Sequence, residues 1–390
     1  MLSVSPTAMT RGLGSLARLL WTNGRGRVVP LLDRASTRVQ LQVPLLEAAL
    51  TRIEPTLSLH AVRAEVVKIE DETHDTKTYW LRPNARFGGF RPGSYITLRL
   101  NIAGRALQRS YSMSSAPRGD GQFSITVKRV PGGLVSNWLA DNLRPGQVLT
   151  LDPPAGRFVL PEKLPQRLLM LSAGSGVTPV MSMLRQLRAA GPKCELVFVH
   201  FARSPEDIIF RADLEQLARE LPHLKVVFCV EQARADEHWR GDTGRFRIEL
   251  LAEHAPDFAE LDTFLCGPAG FMQAVMSSFE QANADLSKLR YERFSVELDP
   301  SRFLQHAHLI RFTRSGTESM SNRPRTILEE AESAGLNVPY GCRAGNCGSC
   351  RCKKHSGVVV DITTGIESDS GADFIYPCIS VAKGAVDVEL

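Results

Sequence analysis

The chain has 390 residues, of which 43% are hydrophobic and 23% are charged, and its formal net charge is +5. A chain of this length and apolar content is expected to form several domains, each with its own core. The small net charge argues against a dedicated nucleic-acid-binding protein, and no run approaches the roughly 18 apolar residues of a membrane span. Eight cysteines without a secretory signal favour a reducing compartment, so we expect a cytoplasmic protein.

Residues 1–56 differ in composition from the rest of the chain. Before Asp33 they contain four arginines and no acidic residue, and leucines recur there at helical spacing. This pattern predicts a basic helical extension that packs on the body of the protein or on a partner. Two alternatives stay open, namely peripheral contact with an anionic membrane and a mitochondrial transit peptide.

Residues 57–162 contain short alternating runs that are separated by Pro-Gly pairs. Strands of this length with such punctuation predict a small antiparallel barrel. The expected barrel strands are residues 61–67, 76–81, 95–100, 122–129 and 147–151.

In residues 163–284 apolar strands alternate with helices, which predicts a doubly wound parallel sheet of the α/β class. The expected strands are residues 168–171, 195–201, 225–229 and 262–266, and the expected helices are residues 180–190, 211–220, 243–251 and 269–282.

Residues 285–302 are interpreted as a charged linker. The last module, residues 303–390, is expected to open with a strand at 308–312, to carry a helix at 326–334 and to close with a strand at 385–389.

An Arg-Ser-Tyr-Ser segment, residues Arg109 to Ser112, directly follows a barrel strand. On an extended chain Tyr111 points away from Ser110 and Ser112. An aromatic ring on one face and hydroxyls on the other suit the flat ring and the polar edge of a flavin, and Arg109 is long enough to reach a phosphate. An ordinary strand is the alternative. Lys128 adds a positive charge nearby, either for the ligand or as solvated surface.

A Pro-Gly-Gly turn that precedes a helix strengthens the flavin interpretation. The helix is expected over residues 135–143, so that Gly133 lies in the turn while Val135 and Ser136 lie in the first helical turn. Free backbone N–H groups at the start of a helix, together with the Ser136 hydroxyl, suit a pyrophosphate. A plain hairpin turn with a helix cap is the alternative.

A glycine-containing turn lies between the first strand and the first helix of the α/β module. Glycines at this place allow a dinucleotide to approach the backbone, although the full G-x-G-x-x-G fingerprint is absent. Thr178 can cap the helix or bond a phosphate, and Pro179 suits the first helical turn. The candidate ligand-binding residues of this turn are Gly174, Ser175, Gly176, Thr178 and Pro179.

A second candidate segment, Cys266-Gly267-Pro268, follows the last expected strand of the same module. Doubly wound sheets bind their ligands at the carboxyl ends of the strands. Cys266 is therefore a candidate neighbour of a nicotinamide ring, and the alternative is a buried thiol at the end of a strand.

Cys342, Cys347 and Cys350 are followed by Cys378, in the C-x4-C-x2-C…C spacing of a plant-type [2Fe–2S] ferredoxin. Glycines 341, 345 and 348 are expected to allow positive φ and to leave N–H groups directed at sulfur. Zinc ribbons favour two separate C-x2-C pairs, so a zinc site fits poorly. Cys352 is interpreted as a side chain that points away from the cluster.

These motifs, in this order, resemble the ferredoxin–NADP reductase superfamily, and most closely the branch whose reductase ends in a plant-type ferredoxin domain. The resemblance covers residues 61–390 and implies a flavin-binding β-barrel, a nucleotide-binding α/β domain and an α+β β-grasp ferredoxin domain. It implies FAD rather than FMN, because the extended Gly-x-x-Ser turn is present. The implied ligand sets are Arg109, Tyr111, Ser112 and residues 133–136 for FAD, residues 174–178 and 266–268 for NAD(P)H, and the four cysteines for the cluster.

Arg203 and Ser204 follow the second strand of the α/β module, and Arg245 follows later in a Thr-Gly-Arg segment. The ribose 2′-phosphate of NADPH would lie at that strand end, where a cation without an acid favours NADPH over NADH. A surface arginine in an ion pair is the alternative.

In such a protein electrons pass from NAD(P)H to FAD, then to the cluster and to an external protein acceptor, and no side chain needs to act as a catalytic acid, base or nucleophile. The layout and the basic N-terminus favour a fatty acyl desaturase as the acceptor. The alternative acceptors are a Rieske oxygenase and a hybrid-cluster protein. A non-enzymatic electron carrier or redox sensor is the alternative from another functional class.

Overall fold

The computed structural model of the protein describes residues 43–191, 194–233, 238–294, 296, 298 and 307–390. Most of the predicted N-terminal extension, residues 1–42, lies outside the described residues. The first described element is helix α1 (Val43–Ile53), whose Glu47 carboxylate accepts a hydrogen bond of 2.9 Å from the backbone N–H of Leu59. This bond attaches α1 beside the start of the barrel. Within the described ranges, no helix combines the length and apolarity that crossing a membrane requires.

The first domain is a six-stranded antiparallel barrel, as predicted. An antiparallel bridge between Met113 and Ile125 joins its two outer strands, so the sheet closes around a core that includes Val66, Leu98 and Phe123. The Arg-Ser-Tyr-Ser segment lies inside a strand rather than after one. The strand order is β4-β3-β6-β1-β2-β5, with β1 (Val62–Thr73), β2 (Thr76–Pro83), β3 (Tyr95–Ile102), β4 (Arg105–Ser112), β5 (Phe123–Lys128), helix α2 (Leu134–Asn142) and β6 (Val148–Leu151).

The second domain is a six-stranded parallel sheet with helices on both faces, as predicted for a doubly wound fold. Its strand order, β10-β9-β8-β7-β11-β12, reverses between β7 and β11, and this is the point at which such sheets bind ligands. The elements are β7 (Arg167–Ala173), α3 (Val177–Ala190), β8 (Glu195–Ala202), α4 (Arg211–Glu220), β9 (Leu224–Val230), β10 (Asp242–Thr243), α5 (Ile248–His254), β11 (Asp262–Gly267), α6 (Ala269–Gln281) and β12 (Leu289–Arg293).

Two segments of this domain differ from the sequence prediction. The helix expected over residues 243–251 begins only at Ile248, because Asp242 and Thr243 pair with β9 as a short parallel strand. Residues 289–293, expected in a charged linker, form strand β12, which pairs in parallel with β11. Its alternation of charged and aromatic residues resembles an exposed connector, although Glu292 faces the interior.

The third domain is an α+β fold built on a five-stranded mixed sheet, in agreement with the implied β-grasp. Strands β13 and β19 run parallel at its centre, and helix α7 packs on it through Ile327 and Leu328. Thr326 and Glu329 form a capping box at the start of α7. The elements are β13 (His308–Phe312), β14 (Thr317–Ser321), α7 (Ile327–Ser333), β15 (Cys352–Ser356), β16 (Val359–Asp361), β17 (Asp373–Ile375), β18 (Ser380–Ala382) and β19 (Val386–Val388).

The barrel and the parallel sheet are joined through helix α3. Ser182 donates a hydrogen bond of 2.7 Å to the carbonyl oxygen of Ser115, and Arg185 donates one of 2.8 Å to that of Ser114. Both acceptors lie just after β4. The glycine-containing turn before α3 is therefore held next to the strand that carries the predicted flavin segment.

Candidate functional site

A small pocket, partly open to solvent, lies where the three domains meet. The barrel contributes residues of β3 and β4, the parallel sheet contributes the end of β12, and the third domain contributes the cysteine loop, which we define as residues 340–350. The lining residues are Tyr95, Ser110, Ser112, Glu292, Arg293, Phe294, Cys342 and Asn346. The same pocket is therefore lined by a predicted flavin-binding strand and by a predicted cluster ligand.

Strand β4 places the two serines of the Arg-Ser-Tyr-Ser segment at this pocket. Ser110 shares a hydrogen bond of 3.0 Å with Thr97, and Ser112 donates one of 3.3 Å to the Glu292 carboxylate. Because side chains alternate along a strand, Tyr111 points to the opposite face, where it packs against the barrel core. The separation of the ring from the hydroxyls that the sequence predicted is therefore present.

Glu292 is a residue of the pocket that the sequence analysis missed. Its side chain is almost fully buried, and burial raises its pKa to about 8 against a partly opposing hydrogen bond from Ser112. Strand pairing sets it level with Cys266 on the neighbouring strand β11. No sequence signal identified it, because a single acid in a charged segment looks like a solvated residue.

The turn before α2, predicted to bind a pyrophosphate, leaves the start of this helix uncapped. No side chain caps the first turn of this helix, so its leading N–H groups stay available to a ligand. A Cβ atom at Gly133 would lie 2.7 Å from the Ser136 hydroxyl, and the neighbouring Val135 is buried. Lys128, for which a ligand contact and solvated surface were both open, forms an ion pair with Asp75 at 2.9 Å.

The two predicted nucleotide segments pack against each other across the reversal point of the sheet. A Cβ atom at Gly176 would lie 2.2 Å from the carbonyl oxygen of Cys266, so only glycine fits there. Thr178 donates a hydrogen bond of 3.0 Å to the Ser175 carbonyl, and Pro179 lies in the first turn of α3 as predicted. The positive φ of Gly174 allows the preceding turn.

Cys266 is completely buried next to Gly267, and burial raises the pKa of its thiol well above the ordinary value. The thiol is therefore protonated at neutral pH. Both sequence interpretations of Cys266 are compatible with this position, because it is a buried thiol that also lies level with the pocket residue Glu292. Pro268 follows directly and precedes the first residue of α6.

The predicted 2′-phosphate residues follow strands β8 and β10, at the carboxyl edge of the sheet. Arg203 and Arg245 expose 69% and 85% of their side chains, which leaves both guanidinium groups accessible to a ligand. Each lies beside an acid, Asp207 at 3.9 Å and Glu231 at 3.1 Å respectively. These positions match the alternative of surface arginines in ion pairs, and the condition of a cation without an acid is not met. Ser204 donates a hydrogen bond of 3.0 Å to the Asp207 carboxylate, so its hydroxyl already has a partner within the protein.

The four predicted cluster ligands converge in the third domain, and all of them are free thiols. The backbone N–H groups of Cys342 and Cys347 each lie 3.3 Å from the other residue's sulfur. The sulfurs of Cys350 and Cys378 are 3.3 Å apart. Backbone N–H groups directed at sulfur are what an iron–sulfur cluster requires of its surroundings, so the donor set fits a [2Fe–2S] group.

The glycines of the cysteine loop act in two ways. Gly345 and Gly348 have positive φ, as predicted, whereas Gly341 does not. Gly341 is instead needed for close approach, since a Cβ atom there would lie 2.9 Å from the Cys347 sulfur. Cys352 is buried in the core of the third domain, in agreement with its interpretation as a bystander.

Replacing a cluster ligand is expected to separate the flavin from the cluster. In Cys350→Ser the cluster should be lost while NAD(P)H still reduces bound FAD, because Cys350 lies outside the barrel. The visible absorbance of the cluster and ferricyanide reduction measure the two effects. Cys352→Ser is the matched control and should keep the cluster. Equal cluster content in both variants would contradict this ligand assignment.

Glu292 is expected to make stability depend on pH. Its pKa is raised in the folded state, so the folded protein binds the proton more tightly and loses stability as the pH rises from about 4.5 to about 8. Relative to Glu292→Gln, the wild type should lose up to about 5 kcal/mol over this window. Chemical unfolding of both proteins across the pH range measures the difference. A constant difference would show that the carboxyl is not held protonated.

Comparison with known protein families gives three matches along the chain. Residues 63–160 match the oxidoreductase FAD-binding domain, residues 170–277 the oxidoreductase NAD-binding domain, and residues 311–383 the 2Fe-2S iron-sulfur cluster binding domain. These matches cover the barrel, the parallel sheet and the domain with the cysteine loop, in the order that the motifs predicted.

Relatives of known name match over nearly their whole length. The glycine betaine monooxygenase reductase subunit of Pseudomonas aeruginosa is 36% identical, over 85% of this chain and 95% of the relative. An NADPH oxidoreductase of Mycobacterium tuberculosis is 33% identical, over 88% and 89%. A solved phthalate dioxygenase reductase shares the fold, with a TM-score of 0.59 at 23% identity over 85% of this chain and 98% of that one. This protein therefore belongs to the ferredoxin–NADP reductase superfamily, as an NAD(P)H-dependent oxidoreductase with FAD and [2Fe–2S] domains.

Proposed function

We propose that this protein is the reductase component of an oxygenase system and passes electrons from NADPH to a separate oxygenase protein. The observation that carries the proposal is the near full-length similarity to relatives named as reductase subunits of monooxygenases. The desaturase acceptor favoured at first gains no support from these relatives, whereas the oxygenase alternative does.

The residues of the pocket suit the entry of electrons into this chain. FAD accepts two electrons together as a hydride, whereas a [2Fe–2S] cluster carries one at a time, so this order of groups converts paired electrons into single ones. Ser110 and Ser112 offer hydroxyls at the pocket, whereas Tyr111 packs against the barrel core on the other face of β4. Glu292 lies beside Ser112 and level with Cys266 of the second nucleotide segment.

The acceptor is tested by reconstitution with purified oxygenases. With NADPH and this protein, a Rieske-type oxygenase is expected to turn over its substrate, whereas an acyl desaturase should show little activity. Product formation and the coupled consumption of NADPH are the measurements. Cys350→Ser is the control that should abolish both, because it removes the last carrier. Efficient support of the desaturase alone would overturn the proposal.

We infer that NADPH is the preferred nucleotide. Arg203 and Arg245, whose side chains are both exposed, border one segment after β9. The backbone N–H of Gln232 donates a hydrogen bond of 2.9 Å to the Arg203 carbonyl, and Glu231 accepts one of 3.1 Å from Arg245. A 2′-phosphate placed there gains charge-assisted hydrogen bonds that NADH lacks. The name of the mycobacterial relative, an NADPH oxidoreductase, supports the same choice.

Removing one of these cations is expected to weaken the preference. In Arg203→Ala the ratio of kcat/KM for NADPH to that for NADH should fall about tenfold, the value of one charge-assisted hydrogen bond. Steady-state ferricyanide reduction with both nucleotides measures the ratio. Arg82→Ala, which removes an ion-paired arginine of the barrel, is the matched control. A higher kcat/KM with NADH in the wild type would refute the preference.

A further inference from the structure

Tyr340 connects the cysteine loop to the barrel. It lies two residues before the ligand Cys342, and its ring is contacted by the guanidinium groups of Arg109, at 4.7 Å, and Arg343, at 4.0 Å. Arg109 belongs to strand β4 of the barrel, whereas Arg343 belongs to the cysteine loop itself. We call these three residues the Tyr340 contact. A cation above the face of an aromatic ring is attracted by the π electrons of the ring, and this attraction is strongest where water is excluded.

A hydrogen bond reinforces this contact. The Nη2 group of Arg109 donates to the Tyr340 hydroxyl at 3.2 Å, while its Nη1 group donates to the Gln108 carbonyl at 2.7 Å. Among the described residues these two bonds occupy two of the five N–H groups of the guanidinium, which leaves donors for a phosphate. The residue predicted to bind FAD is therefore also the residue that touches the cysteine loop.

The other side of the cysteine loop is attached to the parallel sheet. Asn346 donates a hydrogen bond of 2.9 Å from its side-chain amide to the carbonyl oxygen of Arg293, the last residue of β12. Both of these residues line the pocket, together with Cys342 and the serines of β4. The loop is thus fastened to two different domains across the space in which the flavin site and the cluster site meet.

We propose that Tyr340 is a positioning residue that holds the cysteine loop over the pocket, so that one electron passes from reduced FAD to the oxidised cluster without any bond forming or breaking. This inference rests on the proposed FAD site at Arg109. The Arg343 charge is balanced by an ion pair with Glu332, so its part in the contact is to support the ring rather than to add net charge to the cluster. The rate of transfer depends on a fixed geometry between donor and acceptor, so a small displacement lowers it.

The test compares Tyr340→Leu, which removes ring and hydroxyl, with Tyr340→Phe, which removes only the hydroxyl. The FAD- and cluster-loaded holoenzyme is mixed with NADPH without oxygen, and the absorbance changes of flavin and cluster are followed separately. We expect unchanged flavin reduction in both variants. Cluster reduction should be about tenfold slower in Tyr340→Leu and about threefold slower in Tyr340→Phe, which keeps the cation–ring contact.

Phe374→Leu is the matched control. Phe374 also packs against an arginine, Arg351 at 4.1 Å, but it is 55% exposed and both residues belong to the third domain, so this contact joins no two domains. This variant should reduce its cluster at the rate of the wild type. Equal slowing in Phe374→Leu and Tyr340→Leu would overturn the proposal, because the effect would then come from a general loosening of the domain.

Two measurements separate positioning from a change in the cluster itself. The midpoint potential of the cluster, from an EPR-monitored titration, should be the same in wild type and variants. Hydrogen exchange should rise in Tyr340→Leu at the cysteine loop and at β4, and not in β7 or β8. A shifted potential that accounts for the slower rate, or exchange unchanged at both segments, would contradict the inference.

The remaining outcomes are also decisive. If Tyr340→Leu does not assemble its cluster, the Tyr340→Phe rate decides, and a rate equal to that of the wild type overturns the proposal. The oxygenase assignment is tested apart from this one. A wild type that reduces its own cluster but no oxygenase would refute the proposed function and leave the role of Tyr340 intact.

Discussion

Fast electron transfer between two bound groups requires that the groups lie close to each other, and in this protein three domains pack around one space that adjoins both predicted sites. Strand β4 brings Ser110 and Ser112, β12 brings Glu292, and the cysteine loop brings Cys342. The hydrogen bonds from Ser112 to Glu292, from Arg109 to Tyr340 and from Asn346 to Arg293 each join two domains. For electron transfer, these contacts between domains matter more than the order of the domains along the chain.

Two cations near the predicted cofactor segments are held in ion pairs, and this limits how they act on a bound group. Lys128 and Arg343 each have a carboxylate partner, so neither adds a free positive charge. Glu292 is the exception, since burial favours its neutral form. A neutral carboxyl beside Ser112 and level with Cys266 contributes a polar group without a negative charge.

Most of the fold followed from local patterns in the sequence. The barrel strands and the alternating strands and helices appeared close to their predicted places, because apolar periodicity and glycine turns act over a few residues. The errors were at β4, which was not among the expected strands, and at β10 and β12. The last two are short or charged strands whose place depends on a partner strand, β9 or β11, rather than on their own residues.

By itself the sequence determined the chemistry of the groups that this protein binds. Cysteine spacing, the glycine turns and the Arg-Ser-Tyr-Ser segment are local requirements of a cluster, a nucleotide and a flavin, so each is visible in a short stretch of chain. Only the tertiary structure decided which of these stretches meet. Glu292, Tyr340 and Asn346 gain their importance from partners far away in sequence, and long-range packing of that kind leaves no periodic or motif signal in the chain.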